Sequence, residues 1–376
     1  MDFAAAEYEA RLDRAQRAMA ADGLDALFFT SEAEMRYFTG FRTLFWKSPT
    51  RPWFLVVPRT GGPIAIIPEI GAPLMRQNWC EDIRTWSAPN VDDDGVSPLV
   101  DCLSGFSTIG MMMGHETALR MPLGDYERMR DRLRNAAFHD CTRLVQHMRM
   151  VKSAAEIDLH KRICTIASDA FDRAEHLFAI GQPLDEAFRA FKIELLASGA
   201  DDVPYLVGGK GPLGYGDVIS PPDQTPIEPG DILMLDTGAT LNGAFCDFDR
   251  NVAFGSVDPA VQRVHATLWD ATEAGLKAAR PGATCADLYQ AMQGVIADAS
   301  GNVGRFGHGL GMQLTEQPSI ISWDETVLEP GMVMTLEPSM AVTPETMLVH
   351  EENIVITEDE PILLSRRESR EMRILR

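Results

Sequence analysis

Five short stretches in the second half of the chain carry side chains able to hold a cation. The apolar run Ile232-Leu233-Met234-Leu235 ends in Asp236, and eleven residues further on Cys246-Asp247-Phe248-Asp249-Arg250 brings more carboxylates. Between them lies Asn242-Gly243, a dipeptide that favours a two-residue hairpin, so antiparallel strands are expected to bring Asp236 and Asp247 near each other. Two adjacent carboxylates need a cation or a shared proton. Downstream, Gly307-His308-Gly309-Leu310-Gly311 exposes an imidazole on a glycine-rich turn. Leu336-Glu337-Pro338 ends another strand in a carboxylate, and His350-Glu351-Glu352-Asn353 opens a last strand. Four carboxylates and one imidazole form a hard, oxygen-rich set, better suited to pairs of Mn, Co, Fe or Zn ions than to copper or a sulfur cluster. Singly, each piece has a plainer reading: a turn-forming Asp, a Gly-His-Gly loop, a solvated Glu pair. Order and spacing set them apart.

The elements that must position these groups follow from periodicity. A chain of 376 residues exceeds the size at which one core keeps growing, so two domains are expected. Up to about residue 140, helical patterns at Ala5 to Ala21 and Leu123 to Leu133 alternate with strand-like runs. These runs are Asp25 to Phe29, Trp53 to Val57, Ile64 to Ile67, Ile83 to Trp86 and Thr108 to Met113. That alternation predicts an α/β domain with a mixed or parallel sheet, in which Met111, Met112 and Met113 fill core. From Met148 the character changes. Ser153 with Glu156 three residues later starts a long helix running through Phe178. Two further helices, Leu184 to Ser198 and Pro259 to Ala279, flank a strand-rich block from Val203 to Gly255, and the tail from Met332 to Leu364 is strand and turn.

Composition narrows the function classes. Against 34 Lys and Arg stand 55 Asp and Glu, a formal charge of −21 that repels phosphate backbones and anionic lipid heads, so neither nucleic acid nor a membrane is an expected partner. No secretory signal and no run of about 18 apolar residues is visible. The six cysteines lack CxxC spacing and read as buried thiols in a reducing, cytoplasmic compartment.

The order Asp236, Asp247, His308, Glu337, Glu351 resembles the ligand order of the pita-bread metallopeptidase family, which includes aminopeptidase P, prolidase, methionine aminopeptidase and the metal-free creatinase. Leu24-Asp25-Ala26-Leu27-Phe28 with Arg36-Tyr37-Phe38-Thr39-Gly40-Phe41 looks like the start of the creatinase-type N-terminal domain. Met148-Arg149-Met150-Val151-Lys152-Ser153 looks like the hinge into the catalytic domain. The resemblance implies an α/β N-terminal domain over residues 1–145 and an α+β pita-bread catalytic domain over 146–376, a small-molecule substrate, and a homodimer. It also implies two divalent metal ions sharing a hydroxide, held by Asp236, Asp247, His308, Glu337 and Glu351, with Glu337 as the catalytic proton shuttle. Counting back from Thr357 places Glu351, not Glu352, in the ligand position.

The sequence also departs from the family. Peptidase members carry two more histidines that grip the scissile peptide; here those places hold Ile219 and Thr315, and no histidine occurs from Asp201 to Pro229. Losing two donors to an oxyanion argues against ordinary peptide hydrolysis, because one such donor is worth on the order of 10² to 10³ in rate. Three readings follow: a hydrolase of an amide-type C–N bond, Xaa-Pro peptidase-like; a lyase acting on a small zwitterion such as dimethylsulfoniopropionate; and an inactive, binding-only relative. Asp217, Asp223 and Asp249 near the motif strands favour a cationic or zwitterionic substrate, with weak turnover of Xaa-Pro dipeptides. Thr315, Tyr205 and Asp249 are the candidate substrate-binding residues, Tyr205 because its hydroxyl could replace a missing donor. Asp249 has further readings, as an outer support, an extra ligand or base, or a salt-bridge partner of Arg250 or of a Lys side chain. His350 should point away from Glu351 and pack. Phe45 and Trp46 are candidates for an aromatic lid over a cationic group, whereas Trp53 reads as core.

Overall fold

The computed structural model describes residues 2–48, 51–297 and 304–376. Its contacts divide the chain into two units, Met1–Met148 and Arg149–Arg376.

The first unit is built on a mixed six-stranded sheet. Its strands are β1 (Ala26–Phe29), β2 (Phe54–Pro58), β3 (Ile64–Pro68), β4 (Asp82–Trp86), β5 (Thr108–Met111) and β6 (Ala137–Asp140), in the order β4-β3-β2-β1-β5-β6. The pairs β1–β2 and β2–β3 are antiparallel, and the other three are parallel. A parallel pair needs a crossover, and helix Leu123–Arg132 supplies it between β5 and β6. All four residues of central β1 are buried, which is why it reads as an uninterrupted apolar run. Of the three methionines that follow Gly110, Met111 is buried while Met113 is 45% exposed, so only part of that run fills core. Trp53 lies in an aromatic cluster, its ring 5.4 Å from Phe41, 5.8 Å from Trp46 and 6.0 Å from Phe45. The Trp46 ring is buried and covered by the Arg120 guanidinium at 4.8 Å. Trp46 is therefore core of this unit, a correction to its reading as a lid.

In the second unit, helix Ala154–Asp172 begins with the expected capping box: Glu156 N–H donates to Ser153 Oγ, and Ser153 N–H donates to the Glu156 carboxylate at 2.9 Å. It stops at Asp172, and a short turn, Ala174–Leu177, replaces its expected last stretch. Helices Leu184–Ala197 and Pro259–Ala278 follow the periodicity. A third, Cys285–Ile296, was not anticipated; Thr284 and Asp287 cap it with Asp in the place where Glu is the stronger signal, and it buries Cys285, Leu288, Met292 and Ile296.

These helices cover two sheets. The first contains β7 (Asp202–Gly211), β8 (Ile232–Leu241), β9 (Ala244–Phe245), β10 (Phe248–Phe254) and a strand at the C-terminus, Arg373–Leu375, which runs parallel to β10. The second is antiparallel, running from edge strand β12 (Glu316–Ser319) through β11 (His308–Gly309), β13 (Val333–Leu336) and β14 (Glu352–Val355) to a short strand at Ile362–Leu363. Ile232 and Met234 of the first sheet, Met334, Leu336 and Ile354 of the second, and Leu268 and Leu288 of the helices share one core.

Between β8 and β9 the chain turns at Asn242-Gly243, whose φ values of 44° and 64° are both left-handed, as a two-residue hairpin requires. β10 continues the same register, with Phe248 facing Thr237 and Asp249 facing Asp236. The residue directly across from Asp236 is thus Asp249; Asp247 lies two residues along on the same face, level with Gly238.

Between β11 and β12 the chain is anchored by a buried ion network in which Glu316 accepts from Arg149 and from Lys152 Nζ at 3.2 Å. Burial alone would raise the Glu316 carboxyl, but the two cations overcome it and hold it at about 2, against an ordinary 4.5. Because the folded value is depressed, the network's stabilisation is complete above about pH 4.5 and is lost as pH falls towards 2. A shift of that size corresponds to on the order of 3 kcal/mol. Glu316→Gln is expected to lower unfolding stability at pH 7 by about 3–5 kcal/mol and to flatten the loss of stability between pH 5 and 3, measured by urea unfolding at each pH. Parallel stability curves for the two proteins would remove Glu316 from this role.

Candidate metal centre

Backbone devices fix each candidate side chain before any charge is considered. Asn353 of β14 clamps Asp247 from both sides: Asp247 N–H donates to Asn353 Oδ1 at 2.9 Å, and Asn353 Nδ2 donates to the Asp247 carbonyl. At His308 the flanking glycines are obligatory, since a Cβ on Gly307 would lie 2.2 Å from the Thr335 carbonyl oxygen and one on Gly309 2.2 Å from that of Gln317. His308 N–H donates to Thr335 Oγ1 at 3.2 Å. Its ring Nδ1 sits 2.8 Å from the Gly309 carbonyl oxygen; as donor there, it leaves the Nε2 lone pair for the cluster. That Nε2 lies 3.3 Å from Asp247 Oδ2 and 4.0 Å from Glu337 Oε1. Asp247, His308 and Glu351 offer donor atoms all within 4.8 Å of one another, and all three residues are buried.

Asp236 and Glu337 flank this trio. Tyr205 faces Gly238 from β7, on the sheet face that carries Asp236, and its hydroxyl favours the ionised form of the Asp236 carboxyl. It therefore stands beside a candidate ligand. Glu337 follows β13, with its N–H donating to the Phe306 carbonyl at 3.0 Å. The Glu351-Glu352 pair separates by strand alternation. Glu351 joins the trio, while Glu352 pairs with Arg250 at 2.9 Å and accepts from Ser365 Oγ. Arg250 also donates to the carbonyls of Asp249 at 2.6 Å and Glu351 at 2.8 Å, tying β10 to the start of β14. His350 faces the other way, with Nδ1 3.0 Å from Thr272 Oγ1, and burial pushes its ring well below the usual imidazole range.

Burial raises the carboxyls of Asp236, Asp247 and Glu351 well above the ordinary range; Asp236 and Glu351 are lifted further by the neighbouring Asp247 charge. Burial also raises Glu337, to about 7, although His308 and Arg305 oppose it. Asp236 Oδ1 and Glu351 Oε1 are buried without a hydrogen-bond partner. Buried carboxylate oxygens lacking donors are costly unless a cation is at hand, and oxygen donors with one imidazole suit divalent ions. The residues present thus fit a metal centre, in which Asp236, Asp247, His308, Glu337 and Glu351 would be the ligands.

The other expected positions fall out differently. Ile219 is 79% exposed, on a turn closed by Asp217. Asp249 is 1% exposed, which removes it from direct contact with a substrate. Thr315 Oγ1 accepts from Arg305 Nη2 at 3.3 Å, and Arg305 Nε lies 3.5 Å from Glu337 Oε1. Arg305 was missed in the sequence. The signal was there: it is the only Lys or Arg between Arg280 and Arg366, and it stands three residues before His308.

The fold and the carboxylate–imidazole cluster define a metal-dependent, peptidase-like hydrolase on a two-domain pita-bread scaffold. Residues 158–358 match metallopeptidase family M24 and residues 11–151 the creatinase/prolidase N-terminal domain. The chain belongs to metallopeptidase family M24, whose peptidases use divalent metal ions. Among curated relatives, "Probable dipeptidase PepE" of Mycobacterium tuberculosis is 27% identical over 95% of this chain and 94% of its own length. The "Xaa-Pro dipeptidase" of Pyrococcus furiosus is 24% identical over 93% and 95%. The crystal structure of dipeptidase PepE from Mycobacterium ulcerans superposes with a TM-score of 0.86 at 26% identity, covering 99% of both chains.

Neighbouring substitutions separate ligand from scaffold. Glu351→Gln is expected to lose divalent metal by elemental analysis. Glu352→Gln should retain the metal but unfold about 3–5 kcal/mol more easily, because Arg250 is left buried without its partner. Full metal occupancy in Glu351→Gln would remove that residue from the ligand set.

Proposed function

We propose that the chain is a dinuclear hydrolase of an amide-type C–N bond in a small zwitterionic substrate of dipeptide size. The observation that carries this reading is the position of Arg305 at the edge of the cluster, within 3.5 Å of Glu337 and donating to Thr315. Divalent ions at such a site supply Lewis acidity, acidifying water and polarising a carbonyl oxygen. Arg305, with its side chain 31% exposed, offers a planar fork of donors to a substrate carboxylate. Thr315 orients that fork. Glu337, reached by both Arg305 and His308 Nε2, carries the proton from the attacking water to the leaving nitrogen. Asn353 holds Asp247 in place, and Tyr205 favours the ionised form of Asp236. The names of the M. tuberculosis and P. furiosus relatives support a dipeptide-sized substrate. Manganese as the natural ion, the homodimer that the family resemblance implies and a cytoplasmic location, supported by six buried, unbridged cysteines, belong to the same reading.

A panel of dipeptides with free and amidated C-termini tests it in the metal-loaded protein. Free-carboxylate substrates should be cleaved, and amidation should raise KM by about 10- to 100-fold, as loss of a charge-assisted hydrogen bond does. Arg305→Gln should erase that difference. Dipeptide turnover should be slow throughout, Xaa-Pro dipeptides included, because neither Ile219 nor Thr315 supplies an imidazole. Efficient Xaa-Pro cleavage, at kcat/KM of roughly 10⁴ M⁻¹s⁻¹ or above, would overturn this last point. An alkene product without consumption of water would replace hydrolysis by elimination.

A further inference from the structure

Asp249 has no part in the chemistry described so far, yet its side chain is among the most deeply buried carboxylates of the chain, at 1% exposed. It stands directly across from Asp236, and paired residues on antiparallel strands present their side chains to the same face, with Cβ atoms about 5 Å apart. The neighbouring cation does not neutralise it. The Arg250 guanidinium is committed to Glu352 and to the carbonyls of Asp249, Glu351 and Arg366.

Its two oxygens are treated differently. Oδ2 accepts from Asn251 Nδ2 at 2.7 Å, and Asn251 is itself fixed, accepting from the Tyr215 hydroxyl at 3.1 Å and donating to the Val349 carbonyl at 2.8 Å. Oδ1 is buried and has no hydrogen-bond partner. Asp236 Oδ1 and Glu351 Oε1 are bare as well. The large majority of buried side-chain polar atoms have a hydrogen-bond partner, so a bare carboxylate oxygen calls for an explanation. Here Asp236 and Asp249, paired across β8 and β10, each keep a bare oxygen, as does Glu351 at the start of β14, and the charge of Asp249 is felt at Glu351.

We propose that Asp249 is a further carboxylate donor to the ion held by Asp236, so that the centre contains five carboxylates and one imidazole. This rests on the reading of the site as a divalent metal centre. Five negative charges exceed the four positive charges of two divalent ions, and the added oxygen donor shifts preference towards hard ions such as Mn²⁺ over Zn²⁺.

The test uses the full chain, stripped with chelator and titrated with Mn²⁺, with bound metal counted by elemental analysis and free Mn²⁺ followed by its paramagnetic resonance signal. The wild-type chain should take up two ions. Asp249→Asn should weaken one of them by about 10- to 100-fold, the range found when a group supporting a metal ligand is removed. In the metal-free state Asp249→Asn should melt at the same or a higher temperature than wild type, since an uncompensated buried charge has gone, while the rise in Tm on adding Mn²⁺ should shrink. Asp249→Ser, which removes the charge without an amide to accommodate, is read in the same way if the Asn variant does not fold. An unchanged Mn²⁺ isotherm in the variants, with or without a fall in the metal-free Tm, would make Asp249 structural and overturn the proposal. Failure of the wild-type chain to bind Mn²⁺, or equal binding by Asp247→Ala, would instead overturn the metal-centre reading on which it rests.

Discussion

Repulsion between buried carboxylates is the constraint to which the second unit is built. Asp236, Asp247, Asp249 and Glu351 are brought onto one surface of the sheet and its border, away from water, where each makes the ionisation of another harder. Without a cation such an arrangement would relax outward or take up protons. The surrounding chain prevents the first through side chains that act on backbone. Asn353 grips the amide and carbonyl of Asp247, and Arg250 grips the carbonyls beside Asp249 and Glu351. Both residues tie the backbone beside the acids to the neighbouring strand.

The same division of labour separates neighbours in sequence. Glu351 and Glu352 differ by one position and face opposite environments, one among carboxylates and one against a buried guanidinium. Thr315 and Glu316 divide likewise, the first towards Arg305 and the second towards Arg149 and Lys152. Strand alternation thus lets a short motif serve the site with one residue and anchor the chain with the next.

What the sequence revealed followed from local rules. The hairpin at Asn242-Gly243, the capping box at Ser153, the glycines around His308 and the buried strand at Ala26 each carry a signal within a few residues, and each is found in the structure. Helix Cys285–Ile296 carried one too, in a weaker form. Less legible was anything decided by register or by long-range pairing. That Asp249 rather than Asp247 faces Asp236 depends on how the strand resumes after Cys246, and that Tyr205 shares the face of Asp236 depends on the pairing of β7 with β8. Arg305 reaches Glu337 across a separation of 32 positions, and no periodic pattern announces such a contact. The fate of Trp46 was likewise settled by the Arg120 guanidinium, far away in sequence.

The uninterrupted register from β9 into β10 makes the turn at Asn242-Gly243 a measuring device. Because side chains alternate with a period of two, one residue gained or lost between this turn and Phe248 would carry both Asp247 and Asp249 to the opposite face of the sheet, leaving Asp236 without either neighbour. Length variation in this segment is therefore restricted to even steps, whereas an exposed stretch such as the turn bearing Ile219 carries no such parity. Evolution along this lineage can alter what approaches the site far more freely than it can alter the spacing of the acids themselves.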